Sequence, residues 1–140
     1  MLVVDASVAL KWFKQEPDSD LAEAVATADT LTAPDLLLAE LANACWLAAR
    51  AGLLLPSQLA DVPRAVRGYV ATLAPLESLT SRAIAIARAL DHPAYDCFYL
   101  ALAEREATTL VAADRRLIKR VAGTPWAAHV RDLASFGPTP

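Results

Sequence analysis

Short apolar runs alternate with longer segments whose apolar residues recur at helical spacing. The short runs predict strands at residues 2–4, 30–33, 70–73 and 108–112, with a weaker one at 127–130. The longer segments predict helices at about residues 5–13, 18–28, 35–51, 56–67, 78–90, 93–106 and 114–121. This alternation predicts an α/β fold: a three-layer α/β/α sandwich with a mostly parallel central sheet.

Proline and glycine mark where the predicted helices begin and end. Gly52 closes the helix at 35–51, Pro93 fits the first turn of the helix that follows it, and Pro63 predicts a kink within 56–67. The chain contains no repeat, low-complexity tract or linker, and its 140 residues suit one core. We predict a single domain over residues 1–136 and a disordered tail at 137–140.

The composition excludes several classes of protein. Hydrophobic residues make up 56% of the chain, too many for a disordered protein. No uncharged run is longer than ten residues, so no membrane-spanning helix and no membrane partner are predicted. Met1 leads directly into the first predicted strand without a basic segment, which indicates no signal peptide and, by default, a cytoplasmic protein.

The cysteines and histidines of the chain do not form a recognisable disulfide, zinc or catalytic pattern. Cys45 and Cys97 lie within predicted helices and lack the spacing of a disulfide framework or a zinc site. Both are interpreted as small buried side chains, with a catalytic thiol at Cys97 as the alternative. His92 and His129 fall at the ends of predicted elements, where surface positions are expected.

Three acidic residues stand at the ends of predicted elements. Asp5 directly follows the first strand, and Asp114 comes two residues after the strand at 108–112. Parallel sheets place their sites beyond the carboxyl ends of the strands, so these two acids share an edge if their strands are neighbours. Asp96 lies in a first helical turn, where the helix dipole favours a carboxylate. Singly, Asp5 and Asp114 are explained as helix caps and Asp96 as a first-turn charge, and only their joint pattern with a fourth acid points further.

A fourth acid, Glu40, interrupts an apolar run in the middle of the helix at 35–51. Helical spacing puts Glu40 and Asn43 one turn apart on a single face, between Leu36 and Leu47. Neither capping nor the helix dipole explains an acid at this position. We interpret the pair as facing a polar group in a crevice.

Four converging carboxylates would need positive charge. At roughly 4–6 Å, each ionised pair repels by about 4 kcal/mol at an effective dielectric constant of 20. Oxygen ligands favour Mg²⁺ or Mn²⁺, and two such ions can activate a water and stabilise the leaving oxygen of a phosphodiester. The net charge of −3 is not typical of a nucleic-acid-binding protein. When these four acids are left out, however, the chain has twelve acidic and thirteen basic residues. An anionic substrate therefore remains possible.

Four segments carry these acids in a fixed order. They are Val3-Val4-Asp5-Ala6-Ser7-Val8-Ala9, Glu40-Leu41-Ala42-Asn43, Tyr95-Asp96-Cys97-Phe98-Tyr99-Leu100-Ala101-Leu102-Ala103, and Leu110-Val111-Ala112-Ala113-Asp114-Arg115-Arg116-Leu117. In order, spacing and total length the chain resembles a PIN domain, specifically the VapC-type ribonuclease toxins of bacterial toxin–antitoxin pairs.

The resemblance implies a metal-dependent endoribonuclease. It implies that catalysis and the binding of Mg²⁺ or Mn²⁺ rest on four acids, Asp5, Glu40, Asp96 and Asp114. Ser7 and Asn43 would support them. It also implies an RNA substrate, a homodimer and a cognate VapB-type antitoxin. Relatives often carry Ser or Thr where this chain has Ala112, so a hydroxyl that could help to hold a second metal is missing.

Basic residues directly follow the last acid. Arg115 and Arg116 are candidates for binding RNA phosphates, with a solvated helix face as the alternative. The helices at 18–28 and 56–67 carry apolar faces that suit an antitoxin, a second subunit or ordinary core packing.

Two other functions remain open. A phosphatase of the aspartyl-phosphate kind would need a second acid two residues after Asp5, where the chain has Ser7. A non-enzymatic binding module could keep the acids only to hold a structural ion.

Overall fold

The five strands form one parallel sheet. The computed structural model describes residues 1–137, so Pro138, Thr139 and Pro140 of the predicted tail lie outside the described residues. The strands are β1 (Leu2–Val4), β2 (Leu31–Pro34), β3 (Val70–Ala74), β4 (Leu110–Ala112) and β5 (Val130–Asp132). Their order is β3-β2-β1-β4-β5, and each neighbouring pair is parallel. The predicted α/β fold with a mostly parallel sheet is confirmed.

Helices connect the strands and cover the sheet. They are α1 (Ala6–Ala9), α2 (Ser19–Ala28), α3 (Leu36–Arg50), α4 (Val62–Tyr69), α5 (Thr80–Leu90), α6 (Ala94–Arg105) and α7 (Arg115–Val121). Val3 and Val4 point to opposite faces of β1, and neither is exposed, so both faces of the sheet are covered. Within residues 1–137 no helix has both the length and the apolar character needed to cross a membrane.

Two predicted elements are wrong in detail. The segment at 56–67 is not one kinked helix but a 3-10 turn at Pro56–Gln58 followed by α4. Pro63 lies in the first turn of α4, where its missing N–H costs no helical hydrogen bond. The predicted last strand at 127–130 lies mostly in a 3-10 helix at Pro125–His129, and β5 begins only at Val130.

Helix α6 has more buried residues than any other helix of residues 1–137. Half of its twelve residues are buried, and they are Cys97, Tyr99, Leu100, Ala101, Leu102 and Ala103. A helix enclosed on several sides has little freedom to shift, so the side chains of its first turns are held in place. Cys45 and Cys97 are both free and buried, as predicted.

The carboxyl edge of the sheet brings two of the acids to one place. Strands β1 and β4 are neighbours, and Val4 is paired with Val111. The chain therefore leaves β1 at Asp5 and reaches Asp114 two residues beyond β4 on the same edge. The two strands are neighbours, as a shared position for Asp5 and Asp114 requires.

Candidate functional site

Asp5 ends β1 and caps α1. Its Oδ1 accepts hydrogen bonds from the backbone N–H of Val8 at 3.1 Å and from the hydroxyl of Ser7 at 2.6 Å. The Ser7 hydroxyl oxygen in turn accepts a hydrogen bond from the backbone N–H of Ala113 at 3.1 Å. Ser7 therefore joins the ends of β1 and β4 and fixes the Asp5 carboxylate between them.

The Asp5 carboxylate is buried without a cation beside it. The residue is 5% exposed, and no lysine, arginine or histidine of residues 1–137 forms an ion pair with it. Burial raises the pKa of Asp5 from 3.8 to about 7; hydrogen bonds from Ser7 and Val8 oppose the rise, and the charges of Asp96 and Asp114 add to it. This shift corresponds to a cost of about 4 kcal/mol for the ionised form. Such a carboxylate marks a candidate functional site.

Glu40 is held by a tyrosine from another helix. The Tyr99 hydroxyl of α6 donates a hydrogen bond to Glu40 Oε1 of α3 at 2.7 Å. Burial raises the pKa of Glu40, the Tyr99 hydrogen bond lowers it, and the charge of Asp96 raises it. Burial and the charge of Glu40 also raise the pKa of Tyr99 far above its ordinary value, so the phenol remains a donor.

Asp96 is held by a histidine on the turn before α6. His92 Nε2 lies 2.6 Å from Asp96 Oδ2. An ionised carboxylate only accepts hydrogen bonds, so Nε2 carries the hydrogen. The His92 side chain is 13% exposed, so this residue, predicted to lie at the surface, is largely covered and is held beside Asp96.

Asp114 caps α7 and faces an open cleft. Its Oδ1 accepts a hydrogen bond from the backbone N–H of Arg116 at 2.9 Å. The cleft has a volume of about 370 Å³ and contains both carboxylates and guanidinium groups. It is lined by Asp91, His92, Pro93, Asp96, Asp114, Arg116 and Arg120.

The two arginines predicted to bind RNA have different surroundings. Arg116 lines the cleft beside Asp96 and Asp114. Arg115 makes two hydrogen bonds to the Asp132 carboxylate, at 2.6 and 2.7 Å, which occupy its guanidinium group. Of the pair, Arg116 is therefore better placed to meet a phosphate.

Asn43 lies apart from this hydrogen-bonding network. It is exposed on α3, one turn after Glu40, and its side chain makes no hydrogen bond within residues 1–137. Leu47, expected to flank the pair in a crevice, is 50% exposed. The Asn43 end of this face is therefore open to solvent.

Two residues of this network were not predicted from the sequence. Tyr99 comes three residues after Asp96, and His92 comes four residues before it. Both intervals bring side chains together along a helical turn. The interval before Asp96 points to His92 as its donor, whereas Tyr99 donates to Glu40 on α3, a contact that no interval along the chain indicates.

The four acids share one pattern of hydrogen bonding. In each, a single carboxylate oxygen accepts hydrogen bonds, and the other accepts none within residues 1–137. No group of three or more His, Cys, Asp or Glu side chains in this range stands ready to hold a metal ion, so the ligand set remains a prediction. Chemically the residues fit a hard divalent cation, because the available donors are carboxylate oxygens.

Comparisons with known proteins agree on the family and the fold. Residues 2–124 match the profile of the PIN domain. The chain is 34% identical over 122 residues to Ribonuclease VapC3 of Pyrobaculum aerophilum, which covers 85% of this chain and 93% of that protein. It is similar in structure to a chain of a toxin–antitoxin complex from Klebsiella pneumoniae, with a TM-score of 0.70, 14% identity, and coverage of 95% and 98%. It is also similar to a crystal structure of a protein from Pyrobaculum aerophilum, with a TM-score of 0.64 and 24% identity. That match covers 96% of this chain and 84% of the other.

Proposed function

The chain belongs to the PIN-domain family, and on that premise we propose that it is a metal-dependent endoribonuclease, the toxin of a VapBC-type toxin–antitoxin pair. Its likeness to a protein named as a ribonuclease supports this activity. The observation that carries the proposal is Asp5, a buried carboxylate without a protein cation, under the charges of Asp96 and Asp114. Carboxylates in this arrangement create a demand for positive charge at one edge of the sheet.

The proposed ligands of the metal are the unbonded carboxylate oxygens. They belong to Asp5, Glu40, Asp96 and Asp114. Bound Mg²⁺ or Mn²⁺ would supply Lewis-acid stabilisation of the phosphodiester oxygens and a more acidic water. The absent hydroxyl at Ala112, which is fully buried in β4, favours one tightly held ion over two.

The polar groups beside the four acids orient the carboxylates, and one arginine of the cleft would orient the substrate. Ser7, Tyr99 and His92 each donate a hydrogen bond to one carboxylate and so restrict its rotation. Because burial raises the pKa of Asp5 to about 7, a proton competes for this carboxylate near neutral pH, and positive charge nearby would release it. Arg116 would pair with an RNA phosphate oxygen at the open side of the cleft.

The proposed partners are a second copy of the chain and a cognate VapB-type antitoxin. Between α3 and α4 lies an apolar groove of about 260 Å³, and its rim residue Trp46 is 54% exposed. The groove is lined by Leu38, Ala42, Cys45, Trp46, Leu59, Val62 and Pro63. An exposed tryptophan beside such a groove favours an antitoxin segment with apolar side chains at this face.

Cleavage of RNA by the purified chain tests the proposal. The chain, free of any antitoxin, is incubated with total cellular RNA in Mg²⁺ or Mn²⁺, and the new ends are mapped. We expect cleavage that chelator abolishes and that Asp96→Asn reduces by at least about 100-fold, since even outer partners of a metal site are worth 10–100-fold. Asp61→Asn, at an exposed acid outside the cleft, is the matched control and should cleave like the unmodified chain.

Two outcomes would count against a nuclease. If no RNA is cut in either metal, the activity is absent. If the chain binds metal and partner but never cleaves, it is the non-catalytic binding module. The aspartyl-phosphate phosphatase is less favoured, because position 7 carries a hydroxyl already engaged with Asp5 and Ala113.

A further inference from the structure

We propose that Tyr99 is a positioning residue that fixes the carboxylate of Glu40 so that its second oxygen can bind the metal. The inference rests on the proposed function, because it concerns the same metal site. Tyr99 touches neither substrate nor metal in this proposal, and it acts only through Glu40.

The contact joins two separate helices. Tyr99 lies on α6 and Glu40 on α3, 59 residues apart in the chain, and the hydroxyl-to-Oε1 distance is 2.7 Å. Tyr99 is 1% exposed, and α6 is buried on several sides, so its hydroxyl has a fixed position. The hydrogen bond therefore transmits the rigidity of the core to a half-buried acid on α3.

Glu40 needs such a partner more than the other acids do. Asp5 and Asp114 accept hydrogen bonds from backbone N–H groups of their own helices, and short aspartate side chains have few rotamers. Glutamate has one more rotatable bond, and Glu40 accepts no other side-chain hydrogen bond within residues 1–137. A phenol gives its hydrogen to a carboxylate, which only accepts, so the direction of the bond is also fixed.

A purely structural role makes a different prediction. A buried tyrosine hydroxyl usually has a hydrogen-bond partner, and Glu40 could serve only as that partner. In that case loss of the hydroxyl would change stability equally with and without metal and would leave metal affinity unaltered. Metal affinity therefore separates the two roles.

The test is Tyr99→Phe, which keeps the buried ring and removes the hydroxyl. Binding of Mn²⁺ to the purified chain is measured by calorimetric titration and by the rise in melting temperature. We expect affinity to fall by about 10–100-fold, the usual effect of removing an outer partner of a metal ligand. Tyr69→Phe is the matched control, since it deletes a hydroxyl bonded to Glu23 Oε1 at 3.0 Å and should leave affinity unchanged.

A second variant removes the acid itself. In the Glu40→Gln background Tyr99→Phe should weaken Mn²⁺ binding little further, because both substitutions act on one interaction. If Tyr99→Phe is unfolded at about 25 °C, the Mn²⁺ titrations of both chains are repeated at about 10–20 °C, where folds are usually most stable, and the same fall in affinity of about 10–100-fold is expected.

The outcomes distinguish this inference from the proposed function. If the unmodified chain binds Mn²⁺ and cleaves RNA while Tyr99→Phe binds Mn²⁺ within about twofold of it, only the inference is overturned. Fully additive effects of Tyr99→Phe and Glu40→Gln would overturn it as well. If the unmodified chain neither binds Mn²⁺ nor cleaves RNA, the proposed function fails, and the inference fails with it.

Discussion

Replacing Asp5 by asparagine should stabilise the metal-free protein. Asparagine has nearly the same shape, and its Oδ1 can accept the same hydrogen bonds from Ser7 and Val8. The substitution therefore removes the buried negative charge and little else. Because burial raises the pKa of Asp5 from 3.8 to about 7, ionised Asp5 costs the fold about 4 kcal/mol at pH 8.

The effect should depend on pH in a defined direction. The folded protein keeps the Asp5 proton to a higher pH than the unfolded chain, so this group's penalty grows as the pH rises from 3.8 to about 7. Asp5→Asn should therefore be more stable than the unmodified chain by about 2 kcal/mol at pH 5 and by about 4 kcal/mol at pH 8.

Urea unfolding in the presence of chelator at pH 5 and pH 8 measures this difference. Asp132→Asn is the matched control: Asp132 also caps a helical turn, but Arg115 lowers its pKa, so its loss should destabilise the fold at pH 8. Adding Mn²⁺ should narrow the gap at pH 8, by about 2.7 kcal/mol at 100 times the dissociation constant. An Asp5→Asn chain no more stable than the unmodified chain at pH 8, or an equal gap at both pH values, would refute this reasoning.

Two further predictions concern the arginines and the buried thiol. Arg116→Gln should weaken RNA binding and make the slope of log K against log salt concentration shallower by about 0.7, the value for one phosphate contact on a single strand. Arg115→Gln should change neither the affinity nor the slope, because Arg115 is engaged with Asp132. Filter binding across a salt series measures both quantities, and equal losses of affinity in the two variants would contradict the prediction. Burial raises the pKa of Cys97 to about 11, so about one thiol in a thousand is ionised at pH 8. Treatment with iodoacetamide should therefore leave the native protein able to cleave RNA. Rapid alkylation of Cys97 with loss of cleavage would instead support a catalytic role for its thiol.

Local pattern predicts most of this fold. Apolar runs such as Leu2–Val4 and Leu110–Ala112 are strands because they are buried on both faces, and that burial is visible in the sequence. Where local signals compete, the prediction was wrong. Pro63 is compatible with both a kink and a first turn, and only the packing of Val62 and Val66 decides in favour of a new helix.

The hydrogen-bond donors to the four acids are predictable from the sequence only where they lie close to the acid along the chain. The donors to Asp5 and Asp114 come from their own caps and follow from capping rules applied to the sequence. The donor to Asp96 lies four residues before it, an interval that can be read directly from the sequence. The donor to Glu40 comes from a distant helix, and no local pattern predicts a contact across 59 residues.

Capping and metal binding are not competing roles for these aspartates. From the sequence, Asp5 and Asp114 taken singly are explained as helix caps, and only the joint pattern of four acids predicts metal ligands. Each cap uses one oxygen only, Oδ1, and leaves Oδ2 without a hydrogen bond within residues 1–137. A cap fixes the direction of the carboxylate and so orients the free oxygen, as preorganised ligands require. The simplest structural explanation of these acids is therefore also what would suit them to bind a metal.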